Sequence, residues 1–78
     1  MNGQKVYSIK RNDNQEIRIT LREYKNQKYV DIRIFFQPKD EAEMKPTKKG
    51  ITISVGQLQE LAKGLKHITR FIPEEEIA

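Results

Sequence analysis

The sequence predicts an α+β fold, a four-stranded antiparallel sheet followed by one C-terminal amphipathic helix, in the order β-β-β-β-α. Three observations carry that prediction. Up to Ser54 the polar and apolar residues alternate with period two, in runs broken by turn clusters and loops. After Ser54 the apolar residues switch to helical spacing, and Pro73 ends the pattern. Lys25-Asn26-Gln27 is too short a connection for anything but an antiparallel neighbour.

Each element follows from its residues. Residues 5–11 form a short alternating run, with Val6 and Ser8 on one side and Tyr7 and Ile9 on the other. Asn12-Asp13-Asn14 is a turn cluster. Residues 16–24 then place Ile17, Ile19 and Leu21 on one face, opposite Arg18, Thr20, Arg22 and Tyr24. That contrast marks a half-buried strand whose wet face is basic and ends in a ring. In residues 28–37, Val30, Ile32, Ile34 and Phe36 oppose Tyr29, Asp31, Arg33 and Phe35. Plain alternation puts Phe36 in the core and Phe35 beside Arg33, and a bulge near Ile34 would exchange them. Residues 38–49 read as a polar loop of seven charges, and residues 50–54 as the fourth strand, with Ile51 and Ile53 inward. Ser54 caps the helix and Gln57, three residues on, completes a capping box. Leu58, Leu61, Ala62, Leu65, Ile68 and Ile72 form its apolar stripe.

At 78 residues the chain reads as one domain (1–78), with strands in 5–54, the helix in 55–72 and an acidic tail in 73–78. A chain of this size has a marginal core unless something staples it. It has no cysteine and one histidine, His67, so disulfides and thiolate metal sites are excluded. The remaining staple is a second copy. A homodimer is expected, with Leu58, Leu61, Leu65 and Ile68 serving both the sheet of their own chain and the partner helix.

The net charge is +4, unevenly spread. Without Glu74, Glu75 and Glu76, 15 basic residues stand against 8 acidic ones, a surplus of +7 that favours polyanions. No nucleophile accompanies His67, and the scattered glycines (3, 50, 56 and 64) build no phosphate-cradling loop. No enzyme, metal or cofactor is expected. No apolar run approaches the ~18–20 residues that cross a bilayer, and the N-terminus lacks a signal-like apolar region. The expected location is cytoplasmic, nucleoid-associated, with no membrane partner.

A flexible single strand of nucleic acid exposes phosphates and base faces, which cations and aromatic rings meet respectively. Arg18, Arg22 and Tyr24 share one strand face, Lys25 and Lys28 flank the following turn, and Arg33 lies on the next strand. Lys45, Lys48 and Lys49 precede Gly50. Single-stranded DNA is the leading ligand, and an RNA-binding or RNA-chaperone domain using the same surface is the second reading. A basic sheet docking an acidic transcription partner is the reading from another class.

Four short motifs sharpen this. Arg22-Glu23-Tyr24-Lys25, Val30-Asp31-Ile32-Arg33, Glu43-Met44-Lys45-Pro46 and Lys48-Lys49-Gly50-Ile51 follow one another at characteristic spacing. In that order, residues 17–61 resemble the single-stranded-DNA-binding domain of the transcriptional coactivator positive cofactor four, as a compact prokaryotic-type member. The resemblance implies a curved four-stranded sheet with a helix, dimerised to present two grooves for opposed single strands, such as melted duplex. It also implies groove roles for Arg22, Tyr24, Lys25, Arg33, Phe36, Lys45, Lys48 and Lys49. Phe36 stands where the family often has tryptophan, so as a stacking ring it requires a bulged or twisted strand.

Overall fold

The computed structural model describes residues 5–77. Residues 1–4, the start of the segment read above for a signal sequence, and Ala78 lie outside it. Strands β1 (Lys5–Asn12), β2 (Gln15–Tyr24), β3 (Gln27–Phe36) and β4 (Lys45–Ser54) form one antiparallel sheet in chain order. The sheet is open and curved. Helix α1 (Val55–Thr69) follows directly, then a single helical turn, α2 (Glu74–Ile77).

Register decides the faces. Ile17, Ile19 and Leu21 of β2 stand opposite Ile34, Ile32 and Val30 of β3, and Ile51 and Ile53 of β4 stand opposite Ile32 and Val30. Tyr7 and Ile9 of β1 extend this face, as partners of Ile19 and Ile17. Helix α1 lies against β3 and β4. The deepest apolar residues are the cross-strand pair Val30 and Ile53, 4% and 7% exposed. Leu58 reaches this face and, with Tyr7, Ile19, Leu21 and Val30, lines an apolar cavity of about 300 Å³.

The β2–β3 connection is tighter than the three-residue loop expected. Only Lys25 and Asn26 lie between the strands, at φ 51° and 65°. Positive φ at both central residues makes a type I′ turn, whose twist matches that of the strands it joins. Asn26 suits that conformation, whereas Lys25 adopts it at a cost of about 1–2 kcal/mol.

Two boundaries need correction. Strand β4 begins at Lys45, not Gly50, so Lys45, Lys48 and Lys49 belong to a strand and not to a loop. The residues that suggested a loop are those an edge strand tolerates. Pro46 needs no ladder partner on the open side, and lysines discourage edge-to-edge pairing. Helix α1 stops at Thr69, three residues before Ile72. The amides of Arg70, Phe71 and Ile72 turn back to His67, Ile68 and Thr69 at 3.2, 3.0 and 3.1 Å, tightening the exit. Pro73 disfavours a helical residue before it. Beyond it, Glu74–Ile77 form one turn of helix where a solvated tail was expected, its acidic residues at the favourable N-terminal end. The entry to α1 is as predicted, with both halves of the Ser54–Gln57 capping box formed.

Candidate nucleic-acid interface

The face away from α1 is polar and organised in rows across the strands. One row is Ser8, Arg18, Arg33 and Gly50, and the next is Val6, Thr20, Asp31 and Thr52. Arg22 stands opposite Tyr29, and Tyr24 opposite Gln27 at the turn end. In the other direction Glu16 and Phe35 share a row with Pro46. Arg18, Arg22, Tyr24 and Arg33 therefore share one face, as their spacing predicts.

The other candidates do not join them there. Strand β3 pairs with β2 without interruption through Phe36, so the bulge that would turn Phe36 outward is absent from β3. Phe36 falls on the helix-bearing side, opposite Lys45, and Phe35 takes the place beside Arg33's face. Lys28, opposite Glu23, also falls on the helix-bearing side. Lys25 occupies the turn. About nine strand residues, roughly 30 Å, separate Tyr24 from the end of the hairpin that carries Phe36.

The irregularity lies instead in β4. Between the pairs Arg33–Gly50 and Phe35–Pro46, Ile34 alone faces Thr47, Lys48 and Lys49. This bulge lifts residues 47–49 out of the ladder. Thr47 ties it down: its hydroxyl donates to the Ile34 carbonyl at 2.8 Å and accepts from the Lys49 amide at 3.1 Å. Nothing in the sequence pattern singled out Thr47.

Two of the predicted cations are already engaged. Arg33 donates through Nε and Nη2 to both oxygens of Asp31, at 3.2 and 3.0 Å, and through Nη1 to the Thr47 carbonyl at 3.0 Å. Asp31 also accepts from Thr52 at 3.3 Å. The hydrogen bonds that Arg33 donates to Asp31 raise its pKa above the ordinary value. Arg18 donates to Glu16, and its guanidinium carbon lies 4.3 Å from the Phe35 ring centre, a cation–π contact. The Arg18 hydrogen bond, helped by one from Ser8 and by the Arg18 charge, holds the Glu16 carboxyl below its usual range. The pair's contribution is complete above the unfolded carboxyl's pKa and is lost as pH falls through the depressed folded value.

Other candidates remain available. Among the described residues, the side chains of Arg22, Lys28, Lys48 and Lys49 take no internal hydrogen bond or ion pair. Lys45 pairs with Glu41 at 2.8 Å, but both side chains are about half exposed, so the pair is weak. Tyr24 is 65% exposed, with the Lys25 ammonium 5.4 Å from its ring centre. A ring in water beside a cation is suited to a base carrying a phosphate. No cluster of three or more metal-ligating side chains occurs among the described residues, and no described helix is long and apolar enough to cross a membrane.

The sequence matches the family model of Transcriptional Coactivator p15 (PC4) over residues 11–64, more than half of the chain. The chain belongs to the PC4 family. Solved structures agree. A PC4 homolog from Burkholderia pseudomallei K96243 superposes with a TM-score of 0.76 at 30% identity, covering 90% of this chain and 95% of that one. MoSub1, solved as a DNA complex, superposes with a TM-score of 0.63 at 28% identity, over 87% of this chain and 79% of that one. The PC4 homolog of bacteriophage T5, implicated in recombination-dependent DNA replication, shares the fold at 20% identity and a TM-score of 0.64, over 95% of this chain and 82% of that one. Among curated proteins, no sequence matches. The PC4 match begins at Arg11, so β1 lies almost wholly before it.

Proposed function

We propose that this protein binds single-stranded DNA with little sequence preference, as a homodimer. The observation that carries the proposal is the group of side chains left free on the polar face, the turn and the bulge. Among the described residues, Arg22, Lys48 and Lys49 have no internal hydrogen bond or ion pair, Lys25 is held in the turn, and Tyr24 offers an exposed ring. An exposed ring with Lys25 beside it, and further cations along the same sheet, suits a flexible polyanion with bare bases better than a stacked duplex. MoSub1, a relative of the same family, has been crystallised with single-stranded DNA. Lys45, opposite Phe36 on the helix-bearing side at the open end of the sheet, can join from that end by exchanging Glu41 for a phosphate.

Fluorescence anisotropy with ~20-mer oligonucleotides tests the reading: single-stranded DNA, the same sequence as RNA, and duplex DNA. Tight binding to the DNA single strand over duplex is expected. If Arg22, Lys25, Lys45, Lys48 and Lys49 each neutralise one phosphate, log K falls with log salt at a slope of about −3.5. A flat response would remove the electrostatic half of the proposal. Equal, weak binding to all three oligonucleotides would move an acidic protein partner to the front.

The dimer rests on surface that one chain leaves in water. Leu65 and Ile68 are 62% and 57% exposed, and Ile51, Phe71 and Ile72 are exposed too. Leu58 and Leu61 are half-buried, and Leu58 serves its own sheet. The predicted stripe thus divides, its first half covering the sheet and its second half awaiting a partner. Ile68→Asp is expected to convert a dimer of about twice the chain mass into a monomer in sedimentation equilibrium. In an isolated chain the same exposed substitution would change stability by only about 0.5 kcal/mol. A wild-type protein that sediments as a monomer would exclude the dimer.

A further inference from the structure

We propose that Arg33 is a positioning residue and not a phosphate ligand: with Asp31 and Thr52 it staples the β4 bulge, so that Lys48 and Lys49 are presented to the strand. The inference rests on the single-stranded-DNA reading above and changes the role of one residue within it. Its ground is the hydrogen-bond count. A guanidinium has five N–H groups, and three of Arg33's are spent inside the protein, two on a carboxylate in fork geometry. Asp31 is itself buried, so separating the pair would strand a charge away from water. A phosphate would have to compete with that.

The third bond gives the staple its purpose. It runs from Nη1 to the carbonyl of Thr47, the first residue of the bulge. Thr47 in turn receives the Lys49 amide and donates to Ile34. A continuous chain therefore joins Thr52, Asp31, Arg33, Thr47 and Lys49 across β3 and β4. Gly50 completes it, because a Cβ there would lie 2.8 Å from the Arg33 guanidinium carbon. Bulged residues lack ladder bonds of their own, so side chains must set where the two lysines point.

Asp31→Asn separates the two roles by sign. If Arg33 contacts phosphate directly, losing the Asp31 charge frees the guanidinium and removes a repelling anion, so binding tightens. If Asp31 and Arg33 form a staple, single-stranded DNA binds about tenfold more weakly despite the removed negative charge. Unchanged or tighter binding overturns the proposal. Should Asp31→Asn not fold, a mutant cycle decides. Arg33→Gln added to Lys48→Gln/Lys49→Gln is expected to cost no further affinity, and a full additive loss would overturn the assignment. Should the wild-type protein bind no single-stranded DNA, the function proposed above fails on its own. Hydrogen exchange in Arg33→Gln then tests the staple separately. The Lys49 amide is expected to exchange faster while that of Val30 is unaffected, and unchanged protection at Lys49 would overturn the staple.

Discussion

Tyr24→Ala is expected to weaken binding of a ~20-nucleotide DNA single strand by about 5- to 150-fold, the loss of one stacked base at about 1–3 kcal/mol. The ring lies at the last position of β2, beside a turn whose shape is set by Lys25 and Asn26. It is largely exposed, and apart from the Lys25 ammonium nothing described in the protein engages it. Its removal therefore takes little from the fold, and thermal stability should change by no more than about 0.5 kcal/mol. The salt slope should stay as in the wild type, because no cation is lost. Anisotropy titrations at two salt concentrations read both quantities. Wild-type affinity in the variant would take Tyr24 out of the interface, whatever the lysines do.

Gly50→Ala is expected to act on the fold first and on binding second. An added methyl would lie 2.7 Å from the backbone carbonyl oxygen of Ile32 and 2.8 Å from the Arg33 guanidinium carbon. The guanidinium can swing away, but the carbonyl belongs to the middle of β3 and cannot. Overpacking of this kind costs about 1–3 kcal/mol. For a domain of this size that lowers the melting temperature by roughly 5–20 °C. Circular dichroism melts at matched protein concentration would show it, and a wild-type melt would mean that β4 sits farther from β3 than described. Because the displaced group is Arg33, single-stranded DNA affinity should fall as well, even below the new melting temperature. By contrast Gly64, where a Cβ would meet nothing, should accept alanine freely.

Much of the architecture was legible in the chain. Alternation assigns the faces of β2, and of β3 as far as Ile34, because a one-residue slip would drive Ile17, Ile19 and Leu21 into water. The capping box at Ser54 and the stripe that starts at Leu58 locate the helix to the residue at its entry. The motif order around Tyr24, Asp31 and Gly50 led to the right family. Strand β4 was only half legible, since Lys45, Pro46 and the charges after them resemble loop residues in any local window. That they lie on an edge is a property of the assembled sheet.

The site was less legible than the fold, for a definite reason. Sequence alone determined which residues carry charge or a ring, and the strand face of those on β2. It could not assign hydrogen bonds. Arg18, Arg22 and Arg33 look alike as letters on one sheet face, yet of the three only Arg22 has no partner among the described residues. Arg33 was spoken for by Asp31, two residues away, and by Thr47, fourteen residues away. The second contact exists because a bulge in β4 brings that carbonyl within reach. The choice between Phe35 and Phe36 also turned on where the bulge fell, in β4 and not in β3. Patterning is set by burial, which each strand expresses locally. Pairing of donors and acceptors across strands depends on register, and register is decided only when the sheet is assembled.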